Sequence, residues 1–222
     1  MPGDRVREGQ KGIESSRPLH SIPGVLRLYE RLPLDRIGVF IGEGGKVKLE
    51  VMKRTRTRII VDSNNGTVVI EPESPDVPPY MVMKAREFIR AIAYGFSPDK
   101  ALRVLDEDNV LMVIDLKQYV GDAPNHLQRV KGRIIGEQGK ARRTIEEMTG
   151  TYISVYDTYV AIIGDYESAQ IAKEAIEMLI EGRQHSTVYR FIERSMFKLR
   201  RAQMKELWRR DYLIDMNAQG SI

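Results

Sequence analysis

Residues 38–50 read GVFIGEGGKVKLE, crowding Gly38, Gly42, Gly44 and Gly45 into eight positions ahead of a charged and apolar run that suits a helix. Ninety-four residues further on, GRIIGEQGKARRTIEE at 132–147 returns Gly38, Gly42 and Gly45 as Gly132, Gly136 and Gly139. Ile41, Glu43 and Lys46 come back at the same offset as Ile135, Glu137 and Lys140. So do Thr55, Thr57, Ile59 and Val61, as Thr149, Thr151, Ile153 and Val155. An offset held over this span marks two copies of one structural unit rather than a recurring loop.

Length and composition agree with that division. The 222 residues divide into two units of about 80, each large enough to bury a core. Hydrophobic residues make up 42% and charged residues 30%, the balance of a globular protein in water. No apolar run approaches the ~20 residues that span a bilayer, so no membrane partner is expected. The first twenty residues are polar, lack the apolar stretch of a secretory leader, and read as a flexible tail of a cytoplasmic protein. The absence of cysteine excludes disulfides, thiol nucleophiles, Cys-ligated zinc and iron–sulfur clusters. His20, His126 and His185 have no ligand-like spacing, so neither metal nor other cofactor is expected. High charge without cysteine leans toward a thermophilic source.

Within the first unit, GVLRLYERLP predicts a strand and LDRIGVFIG a short helix from about Asp35. The glycine loop follows, and KVKLEVMKRT predicts a second helix with Val47, Val51 and Met52 on one side. RIIVD and TVVIEP flank SNNG, where Asn65-Gly66 is expected to supply the positive φ angles of a tight hairpin turn. A helix over 79–94 completes the order β-α-α-β-β-α. The second unit repeats it with a strand at VLMVIDL, helices over 124–135 and 140–149, strands TYISVY and YVAIIG, and a helix through ESAQIAKEAIEMLIEG. The expected divisions are a tail at 1–20, a first unit at 21–95, a linking helix at 96–108, a second unit at 109–183, and a C-terminal helix and tail at 184–222. Ser97 caps the linking helix in this reading, with Pro98 in its first turn.

Charge is unevenly placed. Residues 21–95 hold 12 Lys/Arg against 9 Asp/Glu, and residues 184–222 hold 8 against 4. Around the second glycine motif, Lys131, Arg133, Lys140, Arg142 and Arg143 cluster, and Arg54, Arg56 and Arg58 lead into a strand of the first unit. An anionic partner is favoured. On the C-terminal helix, Arg190, Arg194, Lys198, Arg201, Lys205 and Arg209 fall at helical spacing as a basic stripe. Val188, Ile192, Met196, Leu199, Leu207 and Trp208 offer it apolar contacts elsewhere. Asp106, Glu107 and Asp108 read as a solvated linker.

Catalytic motifs are missing. A Walker loop, G-x-x-x-x-G-K-[ST], fails because Phe40 and Ile134 stand where its first glycine belongs and Val47 and Ala141 follow the lysines. No Ser–His–Asp or His–Cys grouping stands out, and no enzyme is expected.

Two I-G-x-x-G runs, Ile41-Gly42-Glu43-Gly44-Gly45 and Ile135-Gly136-Glu137-Gln138-Gly139, each between the first two helices of a β-α-α-β-β-α unit, resemble the type I KH domain. The resemblance spans 21–183 and implies an α+β fold of two type I KH domains in tandem. The run GKARRTIEEMTGTYISVYDTYVAIIG, the linking helix and the tandem arrangement are similar to archaeal ribosome-assembly KH proteins of the partner-of-Nob family, over nearly the whole chain.

A KH loop clamps about four backbone nucleotides of a single strand. The resemblance therefore implies RNA contact by Ile41, Gly42, Glu43, Gly44, Gly45, Lys46, Lys48 and Arg58. In the second unit it implies Lys131, Arg133, Ile135, Gly136, Glu137, Gln138, Gly139, Lys140, Arg142 and Arg143. Gly42, Gly45, Gly136 and Gly139 are expected to let phosphate approach the backbone. Ile41 and Ile135, with Ile59–Val61 and Ile153–Val155, are expected to wall an apolar groove for unstacked bases. Two departures stand out: glutamates occupy loops where strong KH binders carry a basic residue, and Lys48 and Arg142 replace an apolar helix residue. The family implies a non-catalytic factor in rRNA processing that binds single-stranded small-subunit rRNA near its 3′ end. It also implies the Nob endonuclease and the alpha subunit of initiation factor two as partners. The alternatives are a general single-stranded RNA binder and a KH-based docking scaffold.

Overall fold

The computed structural model describes residues 26–219. The expectations for the first twenty residues, for Val25 and for the side chains of Leu207 and Trp208 lie outside the described residues. The architecture is α+β, with two three-stranded antiparallel sheets flanked by helices.

The first unit runs β1 (Leu28–Arg31), α1 (Leu34–Ile41), α2 (Lys46–Thr55), β2 (Thr57–Asp62), β3 (Thr67–Pro72) and α3 (Pro79–Ala93). A short helix α4 (Pro98–Ala101) continues as a 3-10 turn over Leu102–Leu105. The second unit follows as β4 (Asn109–Asp115), α5 (Lys117–Val120), α6 (Pro124–Ile135), α7 (Lys140–Thr149), β5 (Tyr152–Tyr156), β6 (Tyr159–Asp165) and α8 (Tyr166–Ile180), and α9 (His185–Gln219) closes the chain. The strand orders are β1-β3-β2 and β4-β6-β5, so the last strand of each unit is central. Helices α2, α6 and α7 keep the bounds read from the sequence, whereas the four residues of α5 are too few to show a helical period.

Two local expectations need correction. Asp62 pairs with Thr67, so the β2–β3 connection has four residues, and of these only Gly66 has a positive φ, at 74°. Asn65 instead accepts the Thr67 N–H through its side chain at 2.8 Å. Gly66 is obligatory for another reason: a Cβ there would lie 2.2 Å from the Leu32 carbonyl oxygen. Ser97 holds the extended backbone of a helix cap but makes no side-chain capping bond.

The repeated threonines have a structural purpose. Thr55 Oγ1 donates to the Val51 carbonyl at 2.7 Å, so the Thr57 hydroxyl must donate to Thr55 across their 2.7 Å contact. Thr149 and Thr151 do the same with Ile145, at 2.7 and 2.8 Å. Each buried pair stitches the end of the helix leaving the glycine loop to the edge strand that follows. Between the threonines the backbone turns left-handed, at Arg56 (φ 50°) and Gly150 (φ 70°).

In the first core, Ile37, Phe40, Val51, Phe88, Ile89 and Ile92 pack on Ile59, Val68 and Ile70 from one sheet face. In the second, Val130, Ile134, Ile145 and Ile176 pack on Ile153, Val160 and Ile162, and α9 adds Val188, Ile192 and Met196. The docking of α9 by its apolar side thus follows the sequence reading, and its basic stripe is exposed. The two units share a seam. Ala161 and Ile163, on the other face of the second sheet, belong to the first core, with Leu111, Val113 and Tyr152 packed against it. Tyr94 meets Tyr159 with ring centroids 5.0 Å apart, and Tyr156 Oη donates to Asp35 at 2.6 Å. Lys84 anchors the linker by donating to the carbonyls of Val104, Asp106 and Asn109 at 2.9, 2.9 and 2.6 Å.

Candidate nucleic-acid interface

Each glycine loop is a helix end, a 3-10 turn and a new helix start in immediate succession. Gly42 closes α1 by donating to the Gly38 carbonyl at 2.9 Å, and Gly136 closes α6 onto Gly132 at 2.8 Å. Their φ/ψ values are 71°/174° and 70°/176°. The middle residues Gly44 (60°/21°) and Gln138 (50°/27°) and the last glycines, Gly45 (80°/6°) and Gly139 (78°/13°), are left-handed in both copies. Two successive left-handed residues favour glycine strongly, because an L side chain there crowds its own carbonyl. Helices α2 and α7 then start at Lys46 and Lys140 without a side-chain cap. Their first-turn amides carry the positive end of the helix dipole and no side-chain cap, which suits an anion.

The glycines divide into two classes. A Cβ on Gly42 would fall 2.5 Å from Val47 Cγ2, and one on Gly136 would fall 2.6 Å from Ala141 Cβ. The missing Cβ therefore serves helix packing at these positions, not the open approach expected there. Gly44, Gly45 and Gly139 face open space. Gly38 and Gly132, which the sequence reading noted only as part of the repeat, also face open space from inside helices. An interior helical glycine costs about 0.5–1 kcal/mol relative to alanine. Among the described residues no protein atom repays that cost, and both copies keep it.

The charged residues fall in several places. Glu43 is 93% exposed and lies 3.9 Å from Lys46 Nζ, so its carboxylate turns into solvent beside its own lysine. Glu137 and Lys140 are exposed in the matching loop. Arg143 donates to the Gln138 carbonyl at 2.9 Å and braces that loop, while Lys131 spans from α6 to the Asp157 carbonyl in the β5–β6 turn at 3.0 Å. Lys48 and Arg142 are half-buried in the first turn of α2 and α7. Ile41 and Ile135 are half-buried at the loop entrances, as are Val61 and Val155, whereas Ile59 and Ile153 are buried in the cores and wall no groove.

Two basic residues are placed away from the loops. Arg133 donates to the carbonyls of Leu179 at 3.2 Å and Arg183 at 2.6 Å, tying α6 to the α8–α9 corner. Arg58 alternates with the buried Ile59 and so points to the outer sheet face, opposite the helices. Among the described residues, no cluster of His, Asp or Glu is placed to hold a metal ion, and no helix is long and apolar enough to cross a membrane.

Residues 110–197 match the family of the second PNO1 KH domain, described as a eukaryotic-type KH domain (KH-domain type I). A KH domain-containing protein of Methanocaldococcus jannaschii is 43% identical over 185 residues, covering 83% of this chain and 80% of that protein. The chain belongs to the PNO1 family. A further member, the pre-rRNA-processing protein PNO1 of Phaeosphaeria nodorum, is 25% identical over 196 residues, 85% of this chain and 74% of its own. The crystal structure of a protein of unknown function from Aeropyrum pernix superposes with a TM-score of 0.82 at 56% identity, covering 84% of this chain and 98% of that one. A chain in the a/eIF2alpha-aDim2p-rRNA complex of Pyrococcus horikoshii superposes with a TM-score of 0.72 at 44% identity, covering 77% and 94%. The PNO1 domain match extends to residue 197, so it takes in the docked part of α9 as well as the glycine loop of the second unit.

Proposed function

We propose that this chain is a non-catalytic, cytoplasmic ribosome-assembly factor whose two units are tandem type I KH domains. They hold single-stranded small-subunit rRNA precursor near its 3′ end and assist its maturation. The observation that carries this reading is the duplication of one loop backbone, left-handed at two successive residues and opening onto uncapped helix amides. Gly45 with Lys46, and Gly139 with Lys140, hold phosphates. Ile41, Ile135 and the flat faces at Gly38 and Gly132 receive bases. A relative seen with rRNA and a/eIF2alpha supports RNA and the initiation factor as partners, and the Nob endonuclease follows from the family resemblance.

Salt dependence tests the reading. The logarithm of affinity for a single strand falls by roughly 0.7 per neutralised phosphate per log unit of salt. With about four nucleotides held per loop, a slope of roughly −3 means one loop is engaged and roughly −6 means both. The RNA stays intact with magnesium present; cleavage by the purified protein overturns the non-catalytic part of the proposal.

Gly38→Ala and Gly132→Ala separate folding from binding. Each substitution stabilises the chain in urea by about 0.5–1 kcal/mol, since its methyl meets no atom of the described residues. Each weakens RNA binding about tenfold, as expected when one methyl overfills a packed contact. Equal or tighter binding in both variants removes bases from these faces.

One observation favours protein docking by the first unit as well. The outer face of its sheet carries Tyr29, 60% exposed, beside Val69 and Ile60 in register, while the matching face of the second sheet is covered by the first unit. An RNA affinity that survives disruption of the first loop, with loss of a protein partner on Tyr29→Ala, assigns that unit to docking.

A further inference from the structure

The two grooves share a plan but differ one turn along the helix that leaves each loop. On α7, Arg142 is followed four residues later by Glu146; the matching positions on α2 are Lys48 and Met52. Strand β5 is an edge strand, so the N–H groups on its outer side have no strand partner. Ile153 N–H points that way and donates to Glu146 Oε1 at 2.8 Å. Lys100 Nζ lies 3.7 Å from the same oxygen, and Arg142 Nε lies 3.7 Å from Oε2, both too far for a hydrogen bond. Glu146 is thus a carboxylate fixed by one accepted bond, with acceptor capacity left on both oxygens. Its side chain is 13% exposed and that of Arg142 is 36% exposed. Among the described residues, Arg142 Nε is the one buried side-chain nitrogen or oxygen without a hydrogen-bond partner. Native proteins seldom leave a desolvated guanidinium N–H unbonded, and the side chain that carries it is still 36% exposed as a whole.

We propose that the second groove selects guanine, with Glu146 accepting from the N1–H and N2–H groups of the base and Arg142 donating to its O6. The inference rests on the reading that the second unit holds single-stranded RNA. Bases in single strands are recognised by their Watson–Crick and Hoogsteen edges. Guanine alone presents two adjacent N–H donors there, which match the two oxygens of a carboxylate, with a carbonyl beside them for arginine. Adenine and cytosine each offer one amino donor next to a ring acceptor, and uracil flanks its single N–H with two carbonyls that a carboxylate repels. Lys48 and Met52 provide no such acceptor, so the first groove does not share the preference.

The test uses the full chain and labelled eight-nucleotide uridine oligomers containing one guanosine, adenosine or inosine, read by fluorescence anisotropy. The wild-type protein is expected to bind the guanosine oligomer about tenfold more tightly than the adenosine one. Inosine, which lacks the 2-amino group, falls below guanosine. Glu146→Gln lowers the guanosine affinity to the adenosine level while keeping an acceptor for Ile153 N–H, so the melting temperature holds. Simple removal of a negative charge would instead raise all three affinities together. A Gln138→Asp, Gly139→Asp variant weakens all three if the second groove holds the RNA. If it does so but guanosine is not preferred, or the preference survives Glu146→Gln, the guanine assignment is overturned alone. If the loop variant changes nothing, both readings of the second groove fall.

Discussion

Replacing Gln138 and Gly139 together by aspartate lowers the affinity for a labelled small-subunit rRNA 3′-end oligonucleotide by about a hundredfold, while the left-handed backbone at residue 139 (φ 78°) costs the fold only about 1–2 kcal/mol and leaves it folded. The size follows from charge: a hydrogen bond to a charged group contributes about 1.5–3 kcal/mol, and 1.4 kcal/mol is a factor of ten. Losing one phosphate contact and placing carboxylates where the anion sits reaches about two orders of magnitude. The fold tolerates the change because both positions are exposed or half-open and a Cβ on Gly139 meets no atom. Aspartate is also among the residues that accept a left-handed backbone, the conformation of residue 138 at φ 50°. Gly44→Asp with Gly45→Asp makes the same change in the first loop. The comparison depends on leaving Gly42 and Gly136 alone, since a side chain there strikes Val47 or Ala141 and confounds misfolding with lost binding. Loss in one pair assigns the clamp to that loop, and loss in both assigns it to both. If neither pair weakens binding, the loops are not the RNA site, and the exposed stripe from Arg190 to Arg209 or a protein-docking role becomes the better account.

The repeat made the order of elements legible, because a glycine loop between two amphipathic helices and a hairpin leaves few ways to pack. The roles of individual residues were less legible. Gly42 and Gly45 are alike in sequence, yet one is required by Val47 and the other faces open space, a distinction set by how α1 crosses α2. Arg133 sits beside the second loop in the chain but points to the α8–α9 corner, because its place on α6 faces the carbonyls of Leu179 and Arg183. Arg58 lies on the outer sheet face for a reason the sequence holds: strand alternation puts it opposite the buried Ile59. The seam had left a trace as well. Strand β6 reads YVAIIGD without a polar alternation and is buried on both faces, whereas β3 alternates buried and half-buried residues over TVVIEP. Glu146 carried no signal of its own, since its role depends on the edge position of Ile153.

Phe88→Ala is expected to cost about 3–5 kcal/mol, as for other fully buried aromatic side chains. It is also expected to bring down both units in one transition. Phe88 is fully buried on α3, with its ring centroid 6.1 Å from that of Phe40. The core it anchors does not stop at the first sheet: it continues through Ala101 and Val104 to Ala161 and Ile163 on the second. Unfolding the first unit alone exposes that second face, and with it the partly buried Leu111 and Val113. Each fully buried side chain of that size contributes about 1.5–3 kcal/mol, so the second unit without its neighbour loses a large share of a stability that is typically about 5–15 kcal/mol. Urea unfolding followed by far-ultraviolet and tyrosine near-ultraviolet circular dichroism reads the outcome. Coincident curves shifted together to lower urea support one cooperative body. Two separate transitions, with only the first displaced, mean that the units are independent and that the seam is incidental. The distinction bears on RNA, because a seam that holds as one body fixes the distance between Gly45 and Gly139, and with it the length of strand that engages both loops at once. A hinged seam would let oligonucleotides of many lengths reach the steeper salt slope; a fixed one sets a sharp minimum length.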